Sequence, residues 1–72
     1  HGEICFELPQ RGPVRMLVLD VSGRTVQTPL AGMMGAGRHV VPLDTTRLPA
    51  GVYFARYRTS GRTFIRRFVV TP

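Results

Sequence analysis

Hydrophobic and polar residues alternate along most of the chain with a period of two, and no stretch has a helical period. Successive side chains of a strand point to opposite faces of its sheet, so this pattern is typical of β-strands. Glycine and proline interrupt it every 8–12 residues, as in small all-β domains. The predicted strands are residues 3–8, 14–21, 24–30, 38–43, 52–59 and 62–70.

The second predicted strand, VRMLVLDV at 14–21, differs from the others because it is apolar on both faces. Val14, Met16 and Val18 point one way, while Leu17, Leu19 and Val21 point the other way. A strand of this kind is usually central in its sheet and covered on each side. We therefore predict that it is the central strand.

Turn residues predict how the strands connect. Ser-Gly pairs at 22–23 and 60–61 predict tight hairpins, because glycine tolerates the positive φ that such turns need. Pro29 and Pro42 predict edge strands, since proline cannot donate a ladder hydrogen bond.

Two longer connections remain. AGMMGAG at 31–37 is predicted to be a flexible loop in which Met33 and Met34 cap the core. Residues 44–51 are predicted to form a structured turn in which Asp44 accepts hydrogen bonds from the following backbone amides.

These elements predict the fold class: an all-β, immunoglobulin-like antiparallel β-sandwich of about six or seven strands. We interpret residues 1–72 as one domain and a fragment of a longer secreted protein, with residues 1–3 a linker or a cloning remnant. The chain is 43% hydrophobic, as in ordinary globular domains. It contains no apolar run near the ~20 residues of a membrane span, so none is expected.

The few residues suited to catalysis do not form a recognisable constellation. Glu3 and Glu7 lie roughly 13 Å apart along a strand, beyond the ~5–9.5 Å that paired carboxylates of glycosidases use. His1, His39 and Cys5 lack the spacing of a zinc site. We predict no enzyme, no metal and no cofactor.

Cys5 is flanked by the apolar residues Ile4 and Phe6, which predicts a thiol buried in a strand. Because it is the single cysteine, it cannot form a disulfide within the chain.

The net charge is +6, and all ten basic residues are arginine. A positive field of this size suits nucleic acid, an anionic glycolipid or solvent equally well. Arg56, Arg58 and Arg66 are expected to share an outward stripe near Tyr57. Phe64 and Phe68 are expected in the core, which leaves few aromatic rings for stacking on bases. We therefore predict no nucleic-acid partner.

Four segments, in this order, resemble the C-terminal sorting domain of type IX secretion cargo, type A. They are VRMLVLDVSGRTV (14–26), AGRHVVPLD (36–44), LPAGVYFARY (48–57) and RRFVV (66–70). Together they span roughly residues 4–70.

The resemblance implies sorting or recognition residues at the positions that match its motifs. They are Asp20, Ser22, Gly23, Arg24, Gly37, His39, Gly51, Val52, Tyr53, Phe54, Arg67, Phe68, Val69 and Val70. Two features depart from the pattern. Arg67 stands where the family usually has lysine, and the chain ends at Pro72 after VVT.

The resemblance also implies a function and partners. Such a domain directs a covalently linked N-terminal cargo through the periplasm to the surface or medium of a Gram-negative bacterium. Its partners are the type IX translocon components, a sortase-like peptidase and anionic lipopolysaccharide. Two alternatives remain open: a structural immunoglobulin-like spacer, and a carbohydrate-binding accessory module of a secreted hydrolase.

Overall fold

The computed structural model describes residues 2–59 and 61–72, which form six strands and no helix. The strands are β1 (Gly2–Leu8), β2 (Gly12–Leu19), β3 (Thr25–Met34), β4 (Gly37–Leu43), β5 (Gly51–Thr59) and β6 (Arg62–Val70). Strands β1 and β4 form one sheet, and the other has the order β3-β2-β5-β6. All pairings are antiparallel. The predicted all-β antiparallel sandwich is confirmed, with six strands.

The core lies between the two sheets and is built from alternate residues of each strand. Met16, Val18 and Ala55 are completely buried at the centre of the larger sheet. The remaining core side chains are Ile4, Phe6, Leu8, Val14, Val41, Leu43, Tyr53 and Tyr57. No buried charged or polar residue interrupts this core in the described part of the chain.

Strand β2 is central, as predicted, because it pairs with β3 on one side and with β5 on the other. The prediction that both of its faces are covered is wrong. Leu17 and Leu19 point away from the smaller sheet and are only half-buried. Val21 lies beyond the end of the strand and is 76% exposed.

The two predictions from proline are confirmed. Strand β3, which contains Pro29, is at one edge of the larger sheet. Strand β4, which contains Pro42, pairs only with β1 among the described residues.

The loop predicted at 31–37 is shorter than expected, because β3 continues to Met34. Gly32, at φ +150°, pairs with Val14 and keeps β3 in register with β2 as far as Gly12. Met34 packs against the core as predicted. Met33 points the other way and is 56% exposed, so its capping role is not confirmed.

Cys5 is not buried as predicted. Because Ile4 and Phe6 point into the core, the side chain between them points outward. Its cross-strand partner is Val40, and Cys5 is half-buried on this outer side of the smaller sheet.

The second predicted hairpin joins β5 and β6, which pair as far as Thr59 and Arg62. Ser60 and His1 lie outside the described residues. Gly61 has φ +75°, as a tight turn requires.

Candidate functional site

The strand that follows the Leu48–Gly51 turn pairs directly with the end of the chain. Gly51 lies opposite Val70, Val52 opposite Val69, Tyr53 opposite Phe68, and Phe54 opposite Arg67. We call these two paired segments, residues 51–54 and 67–70, the recognition ribbon. Two motifs that are separate in sequence thus form one continuous structural unit.

The inner side of the recognition ribbon is held by the core. The rings of Tyr53 and Phe68 stack with centroids 5.8 Å apart and planes inclined by 25°. Tyr53 is buried, and Phe68 and Val70 pack against the core cluster. The position of the ribbon is therefore set by aromatic packing.

The turn before the ribbon is fixed by the same tyrosine. The Tyr53 hydroxyl donates a hydrogen bond of 2.6 Å to the Pro49 carbonyl. A tyrosine hydroxyl that binds backbone a few residues upstream is a known device for fixing a corner in β-sandwiches. Gly51 begins the strand at φ +155°, where a side chain is strained.

Asp44 caps the start of this turn, as predicted. Its Oδ1 atom accepts hydrogen bonds from the Thr46 amide at 3.1 Å and from the Thr46 hydroxyl at 2.5 Å. The hydroxyl hydrogen bond is the main reason that the pKa of Asp44 is lowered. The Leu48 amide donates to the Thr45 carbonyl at 3.1 Å, which closes the turn.

The matching residues of the first hairpin build its turn. Oδ1 of Asp20 accepts from the Ser22 amide at 2.9 Å, the Ser22 hydroxyl at 2.6 Å and the Arg24 amide at 3.1 Å. Gly23 supplies a φ of +87° and donates its amide to the Asp20 carbonyl. These contacts give the four residues a conformational role.

The charge of Asp20 is favoured in the folded state. The hydrogen bond from the Ser22 hydroxyl is the largest cause of its lowered pKa, and the Arg24 and Ser22 amides add to it. Arg24 Nε lies 3.5 Å from the other carboxylate oxygen, but Arg24 is 78% exposed. Solvent screening makes that ion pair weak.

The first hairpin and the turn before the ribbon meet at one end of the sandwich. They line an open cleft of about 520 Å³ that includes Asp20, Arg24, Leu48, Pro49 and Tyr53. The structure therefore brings together two motifs that are separated in the sequence by strands β3 and β4.

Gly37 and His39 are not part of this assembly. They lie at the start of β4, whereas β4 approaches the cleft with its other end. The His39 ring hydrogen-bonds the Gly35 carbonyl at 2.6 Å and lies 5.4 Å from the Phe6 ring. Gly37 has φ +111°. Both residues thus shape the β3–β4 turn.

The arginine stripe predicted from the sequence is partly wrong. Arg56 pairs with Ile65, so the two lie on one face, whereas Arg66 pairs with the buried Ala55 and lies on the other face. Arg67 therefore takes the place of Arg66 beside Arg56 and Arg58.

The aromatic neighbours of the stripe also differ from the prediction. Tyr57 is buried and does not accompany the arginines. Phe68 packs against the core, as expected. Phe64 stacks on Tyr57 at 5.0 Å but remains 38% exposed at the rim.

Two further findings concern the described residues alone. They contain no cluster of three or more histidine, cysteine or acidic side chains that could hold a metal ion. They also form no helix long and apolar enough to cross a membrane.

Comparison with protein-family models shows a match over nearly the whole chain. The family model described as "Secretion system C-terminal sorting domain" (Por_Secre_tail) matches residues 2–71. No curated protein and no solved structure matches the chain significantly.

Proposed function

The chain belongs to the family of type IX secretion C-terminal sorting domains, and we propose that it directs a covalently attached N-terminal cargo through the outer-membrane translocon. The family is a non-enzymatic secretion tag, and its members interact with the type IX machinery for export to the bacterial cell surface or the extracellular space. The cargo, on this proposal, reaches the translocon from the periplasm of a Gram-negative cell.

The recognition ribbon is the observation that carries the proposal. It contains eight of the fourteen residues that match the family motifs, and all eight lie in two strands that pair in register. Core packing and the Tyr53–Pro49 hydrogen bond fix its inner side and its turn. A pre-formed element of this kind binds a receptor with a smaller entropy cost than a flexible tail.

The terminal strand also offers two modes of contact to a receptor. Strand β6 pairs only with β5 among the described residues, so its other edge is free for strand addition. Arg67 is exposed on this strand, and an acidic receptor or anionic glycolipid would attract it. After export, we propose that a sortase-like peptidase acts on the domain and attaches the cargo to anionic lipopolysaccharide.

The alternatives have less support. A sugar-binding module needs exposed aromatic rings for stacking, yet both tyrosines are only 6% exposed and the chain has no tryptophan. A structural spacer gives no reason for the match to the sorting-domain family over residues 2–71. The chain itself, on our proposal, carries out no catalysis.

The test is a reporter fusion. Residues 1–72 are attached to the C-terminus of a fluorescent protein with a signal peptide, in a host with a type IX system and in a matched translocon mutant. The proposal predicts surface or medium fluorescence that is lost in the mutant. Periplasmic retention of a folded fusion in both strains would contradict it.

Arg67→Glu tests the terminal motif within the same assay. Arg62→Glu is the matched control, because it makes the same charge change in an exposed residue at the other end of the same strand. We expect Arg67→Glu to reduce export and Arg62→Glu to leave it unchanged. Equal export of both variants would remove Arg67 from the docking surface.

A further inference from the structure

The larger sheet has a second face that the fold leaves open. The smaller sheet covers one side of β2, β5 and β6, and no described element packs on the other, which we call the outer face. Two cross-strand rows form its middle: Leu17–Arg56–Ile65 and Leu19–Phe54–Arg67. The second row joins the end of the central strand to the recognition ribbon.

The outer face is unusually apolar for a surface in contact with water. Ile65 is 63% exposed and Val69 is 55% exposed, while Leu17, Leu19 and Phe54 are half-buried against their neighbours. These five side chains are absent from the core cluster and from the residues packed on it. A contiguous apolar face of this kind usually marks an interaction site.

The charges on the outer face all have one sign. Arg15, Arg56, Arg58 and Arg67 alternate with the apolar side chains on the same three strands. The four carboxylates of the chain lie elsewhere: Glu3 and Glu7 on β1, Asp20 and Asp44 in the turns. None of these arginines forms a salt bridge within the described residues.

We propose that the outer face is the docking surface of the sorting domain, and that its occupant is a protein surface of the export machinery with carboxylates around an apolar centre. This inference rests on the function proposed above. Arginine pairs with carboxylates through two parallel hydrogen bonds, and it is enriched with aromatic residues at the centres of protein interfaces.

Charge and shape distinguish this occupant from two others. A second copy of the domain would place one set of arginines against another, and such like-charge contacts are unfavourable. A membrane surface would attract the arginines, but insertion into lipid needs protruding apolar groups. Of the five apolar side chains, Leu17, Leu19 and Phe54 are instead half-buried, so that Ile65 and Val69 alone among them are exposed.

The test measures binding of the fluorescently labelled chain to purified, detergent-solubilised type IX translocon. The variants are Ile65→Glu and Arg56→Glu, and Val40→Glu is the matched control. Val40 is also β-branched, strand-borne and 52% exposed, but it lies on the smaller sheet. We expect each outer-face variant to weaken binding about tenfold or more, as loss of an interface centre does. Val40→Glu should bind as the unmodified chain does.

Three outcomes would overturn the inference. If the unmodified chain directs export but neither outer-face variant weakens translocon binding, docking uses another surface and the proposed function stands. If the chain instead binds anionic lipid vesicles through Ile65 while translocon binding is unaffected, the occupant is a membrane. If the unmodified chain is not exported in the reporter assay, the proposed function fails and this inference fails with it.

Discussion

The two faces of the larger sheet are built from the same strands but serve different purposes. The inner residues Met16 and Val18 of β2 alternate with the outer residues Leu17 and Leu19, so both faces of this strand are apolar over residues 16–19. The inner residues are completely buried, while the outer ones are half-buried among arginines. Hydrophobicity alone therefore does not tell which face is the core. On β2 and β5 the arginines do, because all of them lie on the outer face and a charge without a partner is costly in a core.

The largest loss of stability is expected from a substitution in the core. Met16→Ala removes a completely buried side chain and should lower the free energy of unfolding by about 2–5 kcal/mol. Leu17→Ala, one residue along, should cost about 1 kcal/mol because Leu17 is already half-exposed to water. Urea denaturation of both variants measures the difference. Equal costs would show that the outer face is packed as a core.

A substitution at the start of the recognition ribbon should be nearly as destabilising. Gly51→Ala places a side chain at φ +155° and should destabilise the domain by about 1–3 kcal/mol through backbone strain. Gly35→Ala is the control. Added Cβ atoms meet open space at both sites, but Gly35 lacks the unusual φ. If both variants unfold at the same urea concentration, strain at Gly51 is not significant.

A smaller loss of stability is expected from a substitution on the inner side of the ribbon. Tyr53→Phe removes the hydroxyl that binds Pro49 and should cost about 0.5–1.5 kcal/mol, while the ring stacking on Phe68 remains. Tyr57→Phe is a matched control in the same strand and equally buried. The Tyr53 variant should also exchange its 44–51 backbone amides faster. Unchanged exchange in that turn would contradict a fixing role for the hydroxyl.

The smallest expected effect is the pH dependence of the first hairpin. Because the folded-state pKa of Asp20 lies below 3.8, its charge stabilises the fold above that pH. This contribution is lost as the pH falls through the folded-state pKa. The melting temperature of Asp20→Asn should be below that of the unmodified chain near neutral pH, and the difference should shrink in acid. A difference that stays constant with pH would exclude the carboxylate charge as its cause.

Local pattern predicted much of the fold. Alternation placed all six strands, and the prolines at 29 and 42 identified edge strands, because both signals depend on neighbours in the sequence. The extension of β3 through Gly32 was missed because it depends on pairing with Val14. Likewise, the apolar neighbours of Cys5 do not make it a core residue, because alternation in β1 places its side chain on the opposite side from Ile4 and Phe6.

The sequence motifs predict residues for the candidate site but not their arrangement. The motif match identified both halves of the recognition ribbon, yet only the register shows that Phe54 lies opposite Arg67. The same register moves Arg66 to the inner side. The open outer face could not be predicted from the sequence. Two apolar faces in one strand predict that both are covered, but which face is covered depends on where the other sheet packs.

The most direct test of the docking role of the outer face is the exported fraction of the reporter fusion carrying Ile65→Glu, compared with that carrying Val40→Glu. Ile65 lies opposite Arg56, so the new carboxylate gains a favourable neighbour and the fold should keep its stability. We predict that Ile65→Glu loses export, while Val40→Glu is exported normally and both domains melt near the unmodified one. Normal export of Ile65→Glu would contradict the claim that the outer face is the surface bound during export.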